Sequence, residues 1–246
     1  MSSHPVLPAR MSRLCASALA AGLLLASCGG GDPYAGLRLG TVSGNRNATA
    51  VVLDDGTYYM LYSVPGAPNA IAGLIQGTGD FHGAQFTSAD ARDFSWDGRG
   101  TQAATVSAKI SPKMAVSGTV NERPGAQNFT VSYQREFDDI ARLPILVGSY
   151  AGTVTFILGT RPAVFNVTAF GDVSTSINGC PITGRVVPRN DANAYDLTIV
   201  FGGAPCVFPF AQFSGVAVYR PDQRRLYAAV VHASRTQAIA FAGLKN

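Results

Sequence analysis

Hydrophobic and polar residues alternate along most of this chain in short runs. No long stretch repeats its apolar residues every three or four positions, as an amphipathic helix does. The runs are rich in Val, Thr, Phe and Tyr, and Gly, Asn, Asp and Pro separate them. Because these separating residues favour turns, the pattern predicts strands joined by tight turns, and therefore an all-β protein.

The first group of predicted strands lies within residues 36–137. Asp54-Asp55-Gly56 separates the runs 48–53 and 57–63, and an Asp-Gly pair between two such runs is a strong hairpin signal. Further strands are predicted at 70–76, 80–86, 102–110, 114–120 and 129–136. Gly77-Thr78-Gly79 predicts a turn, and Ser88 predicts the N-cap of a single helical turn within 87–94.

The second group lies within residues 145–246, after a connector near residues 138–146. Its strands are predicted at 146–158, 163–169, 173–176, 180–187, 194–201, 213–219, 224–233 and 237–241. Each group offers about eight strands, the number that closes into a small antiparallel barrel. The sequence therefore predicts an all-β fold of two tandem antiparallel eight-stranded barrel or sandwich lobes. One larger β-domain is the alternative, and the continuous apolar band of an outer-membrane barrel is not expected.

The N-terminus carries the marks of a secretory signal. Arg10 and Arg13 precede an apolar segment over 14–25, which is shorter than the roughly 20 residues that a membrane-spanning helix needs. Leu25-Ala26-Ser27-Cys28 resembles a bacterial lipobox. This resemblance implies a signal peptide over 1–27, cleavage between Ser27 and Cys28, and acylation of Cys28 by palmitate-like chains. An ordinary signal peptide with an incidental cysteine is the alternative.

The residues after Cys28 indicate where an acylated chain would be delivered. Residues 28–35 form a Gly-rich tether of the flexible kind that an acylated N-terminus needs. In the lipoprotein family, Gly29 rather than Asp at this position implies the outer membrane. The sequence thus predicts a protein that is lipid-anchored there, with either the periplasmic or the cell-surface face open.

Charge adds little to this picture. Removal of Arg10 and Arg13 with the signal leaves +2 of the whole chain's +4, and the sign differs between the halves. Residues 28–144 carry a net charge of −2 and residues 145–246 a net charge of +4. A basic second half could favour anionic partners, but an ordinary solvated surface is the simpler interpretation. No basic stretch is interleaved with stacking aromatics, so nucleic-acid binding is not expected.

Four cysteines are present, and two belong to the N-terminal segment. Cys15 leaves with the signal and Cys28 takes the lipid, which leaves Cys180 and Cys206 as an even pair. Because thiols tend to pair in an oxidising compartment, we predict a Cys180–Cys206 disulfide. Two buried free thiols and a metal pair are the alternatives. Neither cysteine has a further Cys or a His at ligand spacing, so no metal is expected.

The mature chain shows no recognisable catalytic set. It lacks a Gly-x-Ser-x-Gly elbow, a His-Glu-x-x-His motif and a phosphate loop. His82 is predicted at a turn or strand end, and His232 on the wall of a barrel beside Val230. The acidic pairs Asp54-Asp55, Asp90 with Asp93, and Asp138-Asp139 fall in turns or connectors. Phe201, Phe208, Phe210 and Phe213 around Cys206 are predicted to form core or a barrel plug. No catalytic residue and no cofactor are expected.

Several segments resemble a largely uncharacterised group of proteobacterial envelope lipoproteins. They are AGLIQGTG at 72–79, FTSADARDF at 86–94, GCPITG at 179–184, and YDLT at 195–198 with Cys206. The architecture is more loosely similar to the β-barrel lobes of transferrin-binding-protein-like surface lipoproteins. The resemblance implies a non-catalytic binding or structural role, with an envelope protein or a small apolar ligand as partner. An envelope hydrolase with an unrecognised active site, built on His82 or His232, is the alternative hypothesis.

Overall fold

The first half of the chain forms a closed antiparallel barrel. The computed structural model describes residues 34–123 and 125–246, so Ser27, Cys28 and the predicted signal peptide over 1–27 lie outside the described residues. The strand segments are β1 (Gly36–Val42), β2 (Arg46–Val52), β3 (Thr57–Val64), β4 (Ala67–Thr78), β5 (Asp80–His82), β6 (Gln85–Ser88), β7 (Arg92–Ser95), β8 (Gly100–Lys109), β9 (Val116–Glu122) and β10 (Ala126–Gln134). These ten segments fill eight barrel positions. β5 continues the line of β4 and β7 continues the line of β6, so each of these two pairs occupies one position in the barrel. Pairing of β8 with β9 closes the barrel.

Three local predictions in this half were wrong. The strand predicted at 80–86 is divided by a turn into β5 and β6. Gly77 and Thr78 continue β4 instead of turning, and the hairpin comes at residues 83–84. A Cβ at Gly79 would lie 2.1 Å from the Phe86 ring, so close packing accounts for that glycine. Ser88 ends a strand and caps no helix. Its Oγ donates to Asp90 Oδ1 at 3.0 Å. Asp90 Oδ1 also accepts a hydrogen bond from the Thr78 N–H at 2.9 Å.

A short connector joins the halves. It consists of a 3-10 turn (Arg135–Asp138) and the one-turn helix α1 (Leu143–Leu146). Pro144 lies in the first turn of α1, where its missing N–H costs no hydrogen bond. The strand predicted at 146–158 is therefore shorter and begins only at Gly148.

The second half is an up-and-down barrel of eight uninterrupted strands. They are β11 (Gly148–Phe156), β12 (Gly159–Val167), β13 (Asp172–Ile177), β14 (Cys180–Pro188), β15 (Tyr195–Phe201), β16 (Gln212–Arg220), β17 (Arg225–His232) and β18 (Ala238–Lys245). Each strand pairs with the next, and β18 pairs with β11. In β12 the residues Ala163, Phe165 and Val167 point inward between exposed neighbours, the period of two that the sequence displays.

The two barrels pack side by side through apolar residues on their outer faces. Leu61, Leu74 and Phe94 of the first barrel contact Ala229 and Ala240 of the second. A second patch buries residues of both barrels beside the connector: Leu37, Val51, Leu53, Phe137, Ala194, Val216 and Val218. Because both faces of these strands are buried, the residues that point away from the barrel interior are also apolar. The alternation of apolar and polar residues is therefore weaker in the sequence of these strands.

Candidate functional site

The interior of the second barrel contains a larger cavity than the interior of the first. A cavity of about 170 Å³ lies at the end of the barrel that carries the disulfide. Its walls are apolar side chains of the barrel interior, among them Val154, Phe165, Ile182, Ile199, Phe201 and Ile239. Asn178, at the turn between β13 and β14, is the polar residue among its lining. An engineered cavity of about 150 Å³ with such walls holds benzene or xenon, so this space suits a small apolar molecule.

A stapled loop covers the cavity. Residues 202–211 cross the barrel mouth between β15 and β16, and Pro205 and Val207 of this loop contact the cavity. Cys206 is bonded to Cys180 at a Sγ–Sγ distance of 2.04 Å, which confirms the predicted disulfide. The Gly202 N–H donates to Pro181 O at 2.8 Å beside it. The disulfide therefore fixes the cover of the cavity to the start of β14.

Phe208 of the same loop forms an aromatic cluster with residues of the neighbouring strands. Phe208 contacts Phe201 and Phe213 with ring centroids 5.6 and 5.4 Å apart, and Phe156 lies 6.4 Å from Phe208. These residues form a plug, as the sequence predicted. The prediction was wrong for Phe210, whose side chain is 78% exposed.

The opposite end of the second barrel is closed by the connector. Tyr150 Oη donates to Leu146 O at 2.6 Å, and Tyr195 Oη donates to Arg142 O at 2.9 Å. Both tyrosines are buried, and burial raises the pKa of each. Only a void of about 30 Å³ lies near Leu146. The ligand-sized space is thus confined to the disulfide end.

The first barrel is filled more completely. Its interior holds a void of about 40 Å³, lined by Tyr58, Met60, Phe129 and the aliphatic stem of Arg38. The Arg38 guanidinium is buried, and it donates to Tyr34 O at 2.8 Å. Burial lowers the pKa of Arg38 to about 10. A void of this size accommodates little more than water, so it is too small for the molecules that the cavity of the second barrel could hold.

A polar cluster occupies one mouth of the first barrel. Asp93 has 0% exposure, and its Oδ1 accepts a hydrogen bond from Tyr62 Oη at 2.7 Å. Arg99 Nη2 lies 3.3 Å from Asp93 Oδ2, and Arg99 also contacts Glu122. Gln127 donates to the same Glu122 carboxylate. The cluster joins β3, β7, β9 and β10 across the barrel.

The two buried carboxyls of this cluster share one negative charge. Burial raises the pKa of Asp93 to about 8, and its hydrogen bond with Glu122 adds to the rise. Burial also opposes the ionisation of Glu122, but hydrogen bonds from Asp93, Gln127 and Arg99 lower its pKa below the ordinary value. At neutral pH Asp93 is therefore protonated and Glu122 ionised. The pair has the chemistry of a general acid and base, but its burial leaves no approach for a substrate.

Neither histidine forms a catalytic constellation. His82 is exposed at the end of β5. His232 Nδ1 lies 2.7 Å from Ser234 Oγ and also accepts the Ser234 N–H at 3.2 Å, an arrangement within a single turn. In the described part of the chain no carboxylate contacts either ring, so the orienting group that a Ser–His pair needs is not provided there. No cluster of metal-ligating residues occurs within 34–123 or 125–246.

The other acidic pairs hold the architecture together. Asp54 binds Arg189 of the second barrel, and Asp138 binds Tyr133 and Lys113. Asp90 binds Arg235, whose guanidinium also donates to the backbone oxygens of Gln76 and Asp90. Burial opposes the ionisation of Asp90, but hydrogen bonds from Thr78, Ser88 and Arg235 lower its pKa. These carboxylates are structural, and no sequence pattern indicated that Asp54 and Asp90 have their partners in the other barrel.

Comparisons with known proteins leave the site to be interpreted from its own geometry. No protein-family model matches the chain, and no curated protein is significantly similar to it. Among solved structures, the Myxococcus Xanthus hemagglutinin in complex with a3,a6-mannopentaose is similar at 13% identity, over 87% of this chain and 90% of that one. The TM-score of that comparison is 0.17, which is too low to support a conclusion about fold or ligand. Within the described residues, no helix is long and apolar enough to cross a membrane.

Proposed function

We propose that this chain is a lipid-anchored protein of the bacterial cell envelope whose second barrel binds a small apolar molecule. The observation that carries the binding role is the cavity of about 170 Å³ at the disulfide end. It has apolar walls, one polar residue at its rim and a cover held by a covalent bond. A few polar groups in a mostly apolar concave space are typical of small-molecule sites.

The cavity volume limits the ligand. Sites for drug-sized molecules measure about 300–1,000 Å³, so a space of this size excludes a folded acyl chain or a porphyrin. It suits a compact molecule of about six to ten non-hydrogen atoms, such as a monocyclic aromatic or a short terpenoid fragment. Ligands of this kind bind with modest affinity, since each atom contributes at best about 1.5 kcal/mol.

The anchor is supported by Leu25-Ala26-Ser27-Cys28 and the Gly-rich segment that follows. Gly29 favours delivery to the outer membrane. Intact mass spectrometry of the membrane-fraction protein tests this part, with Cys28→Ala as the control. We expect a lipid-sized mass on Cys28 that is lost in the variant. An unmodified chain of residues 28–246 in the soluble fraction would contradict the anchor and leave the cavity hypothesis untouched.

Toluene titration of the purified protein tests the cavity directly. A ligand that binds the native state at tenfold its Kd raises stability by about 1.4 kcal/mol, which thermal unfolding detects. Val154→Phe narrows the cavity, and we expect it to abolish the toluene-dependent shift. Val131→Phe is the matched control, because Val131 and Val154 are both 2% exposed and Val131 faces the interior of the first barrel.

The control separates binding from general effects of solvent. Val131→Phe is expected to keep the full toluene shift, although overpacking lowers its stability by about 1–3 kcal/mol. Equal shifts in both variants would mean that toluene acts outside the cavity. That result, or no shift in the unchanged protein, would contradict the proposed binding role.

A further inference from the structure

The shortest strand pairing in the wall of the second barrel joins β12 to β13. These strands pair only through Asn166 with Ser174 and Val167 with Val173, beside the turn 168–171. On their other sides they pair with β11 and β14 over their whole lengths. Toward the disulfide end, the facing edges of β12 and β13 are therefore not joined by a ladder of backbone hydrogen bonds. We call this part of the wall the β12–β13 seam.

The sequence of β12 contains a residue that fits such a seam. The Thr168 N–H donates to Asp172 O at 2.9 Å, and in an antiparallel ladder alternate residues face the same neighbour. The even-numbered residues of β12 therefore direct their backbone groups toward β13. Pro162 is one of them, and it has no N–H to donate. Prolines within sheets are found at edge positions of this kind, so Pro162 disfavours a continuous ladder across the seam.

A groove and the cavity lie on opposite sides of the seam. The groove, of about 630 Å³, lies on the outer face of the barrel and is lined in part by Val164 of β12 and Ser176 of β13. Phe165 and Ile177, the next residues along the same two strands, line the cavity. Successive side chains of a strand point to opposite faces, so the two spaces are separated here by the thickness of one wall.

Thr175 makes the closed seam less favourable than the apolar parts of the wall. This residue also lines the groove, its side chain is 9% exposed, and its Oγ1 is buried without a hydrogen-bond partner among the described residues. A buried hydroxyl that has lost water and gained no partner costs free energy. Opening of the seam would hydrate this hydroxyl and recover part of that cost.

The cover of the cavity is held more firmly than the seam. Loop 202–211 is bonded to β14 through Cys206 and Cys180, and its Phe208 ring packs against Phe201 and Phe213. Movement of the cover would have to disrupt these contacts. Opening of the seam breaks side-chain packing but no ladder, and local openings occur where such support is weakest.

We propose that the small apolar ligand enters and leaves the cavity through the β12–β13 seam, while the disulfide-bonded loop stays closed. The proposal rests on the proposed function, because it concerns the same cavity, and it adds the route of access. In the closed seam Phe165 and Ile177 form part of the binding surface. When the seam opens, the ligand passes between these two side chains and the outer groove.

A covalent bridge across the seam tests this route. Val164→Cys with Ser176→Cys places two thiols on exposed positions that would pair next after Asn166 with Ser174. Oxidation bridges them, and a two-carbon bis-thiosulfonate does so where the gap is too wide for a disulfide. The same protein with each thiol capped by a methylthio group is the open form. Ser174→Cys with Thr183→Cys is the matched control, because it bridges β13 to β14, which are already paired.

Fluorobenzene is the probe, and ¹⁹F NMR measures its exchange between the free and the bound state. The variants are made in the chain with Cys28→Ser, secreted behind a signal peptide that needs no cysteine. We expect the seam bridge to slow both binding and release about tenfold and to leave Kd within about twofold, because the bridge lies outside the cavity. The control bridge should leave both rates unchanged. Ser176→Trp covers the seam from outside and should also slow exchange, which provides a second test if the bridge does not form.

The outcomes separate the route from the binding role. Bound fluorobenzene whose exchange is slowed by neither bridge, or equally by both, would overturn the seam as the route. Faster exchange after removal of the Cys180–Cys206 bond, with no effect of the seam bridge, would place the route at the cover and overturn the proposal as well. Absence of bound fluorobenzene in the unchanged protein would overturn the binding role itself, and the route with it.

Discussion

The two barrels share a strand number and a topology, yet they fill their interiors by different means. The first barrel encloses charges, with Asp93 fully buried against Tyr62, Arg99 and Glu122, and retains a void of about 40 Å³. The second barrel encloses apolar side chains and retains a cavity of about 170 Å³. Buried ions must remain paired, so they restrict an interior to one arrangement, whereas apolar walls impose no such requirement. The first barrel is therefore suited to support, and the second to binding.

The supports of the two barrels differ as well. In the first barrel the cluster of Tyr62, Asp93, Arg99 and Glu122 at one mouth braces the wall. In the second, one covalent bond braces the covered end. This difference can be tested by removing each support in turn.

Loss of the disulfide is expected to have the largest effect. In the chain-entropy model, a cross-link between residues 26 apart contributes roughly 3 kcal/mol, and we expect Cys180→Ser with Cys206→Ser to lose about that much. Urea unfolding followed by circular dichroism measures the loss. Toluene binding should weaken in the same protein, because the cover of the cavity is released. A loss below about 1 kcal/mol would show that the loop 202–211 is held by packing alone.

Loss of Arg235 should have the next largest effect and should uncouple the barrels. Its guanidinium makes four hydrogen bonds to Gln76 and Asp90, and their removal by Arg235→Ala is expected to cost about 2 kcal/mol. Trp96 packs in the interface and reports this by its fluorescence. Arg161→Ala is the control, since the Arg161 guanidinium donates to the carbonyl oxygen of its neighbour Thr160 within the same barrel. If the Arg235→Ala and Arg161→Ala proteins both unfold in a single transition with an unchanged midpoint, Arg235 does not join the barrels.

The stability of the protein should depend on pH through Asp93 of the first barrel. Asp93 has a folded-state pKa of about 8, whereas an unfolded aspartate titrates near about 3.9. Between these values the folded state holds a proton that the unfolded state has lost. Stability from this group is therefore fully present below about pH 3.9, falls as the pH rises from there by at most about 1.4 kcal/mol per pH unit, and is lost once the pH passes the folded-state pKa of about 8.

Asp93→Asn removes the titrating carboxyl while it keeps the shape of the side chain. We expect the variant to unfold with a flatter dependence on pH between 5 and 8 than the unchanged protein, as measured by urea midpoints across that range. Asp55→Asn, at an exposed turn, is the control. The same pH slope in all three proteins would show that Asp93 is ionised in the folded state, contrary to its assignment as the protonated partner.

The exposed aromatic rings should have the smallest effect on stability. Phe210→Ser and Phe170→Ser each remove a side chain that is 78% exposed, so each should change the free energy of unfolding by less than about 0.5 kcal/mol. Differential scanning calorimetry in the absence of lipid measures both. A large loss at position 210 alone would mean that this ring packs on the aromatic plug in solution.

Most of the fold could be predicted from local sequence patterns. The predictions were wrong where contacts with residues distant in the sequence determine the local conformation. Alternation in 163–167 and the Asn178-Gly179 turn sufficed for β12 and for the hairpin of β13 and β14. Residues 87–94 suggested a helical turn because Ser88 is a good N-cap former. In the structure the Ser88 side chain donates to Asp90, and Asp90 also binds Arg235, 145 residues away. No local pattern reveals such a partner.

The site was predicted only in part, for a similar reason. The pairing of Cys180 with Cys206 followed from compartment and count, and the structure confirms it. The cavity could not be predicted, because its volume depends on how eight strands place Val154, Ile199 and Ile239 relative to one another. The Asp93–Glu122 pair was missed because 29 residues separate the two carboxyls in sequence. Asp93 was assigned to a turn, although it alternates inward on β7 beside Phe94.

Crystals pressurised with xenon provide the most direct test of the contrast between the barrels. Xenon enters apolar cavities of about 150 Å³ and is located by its anomalous scattering. We expect one strong peak within the second barrel, surrounded by Val154, Phe165 and Ile182, and none within the first barrel. Its occupancy should fall in Val154→Phe and persist in Val131→Phe. Xenon in the first barrel, or its absence from both, would contradict the division between a supporting barrel and a binding barrel.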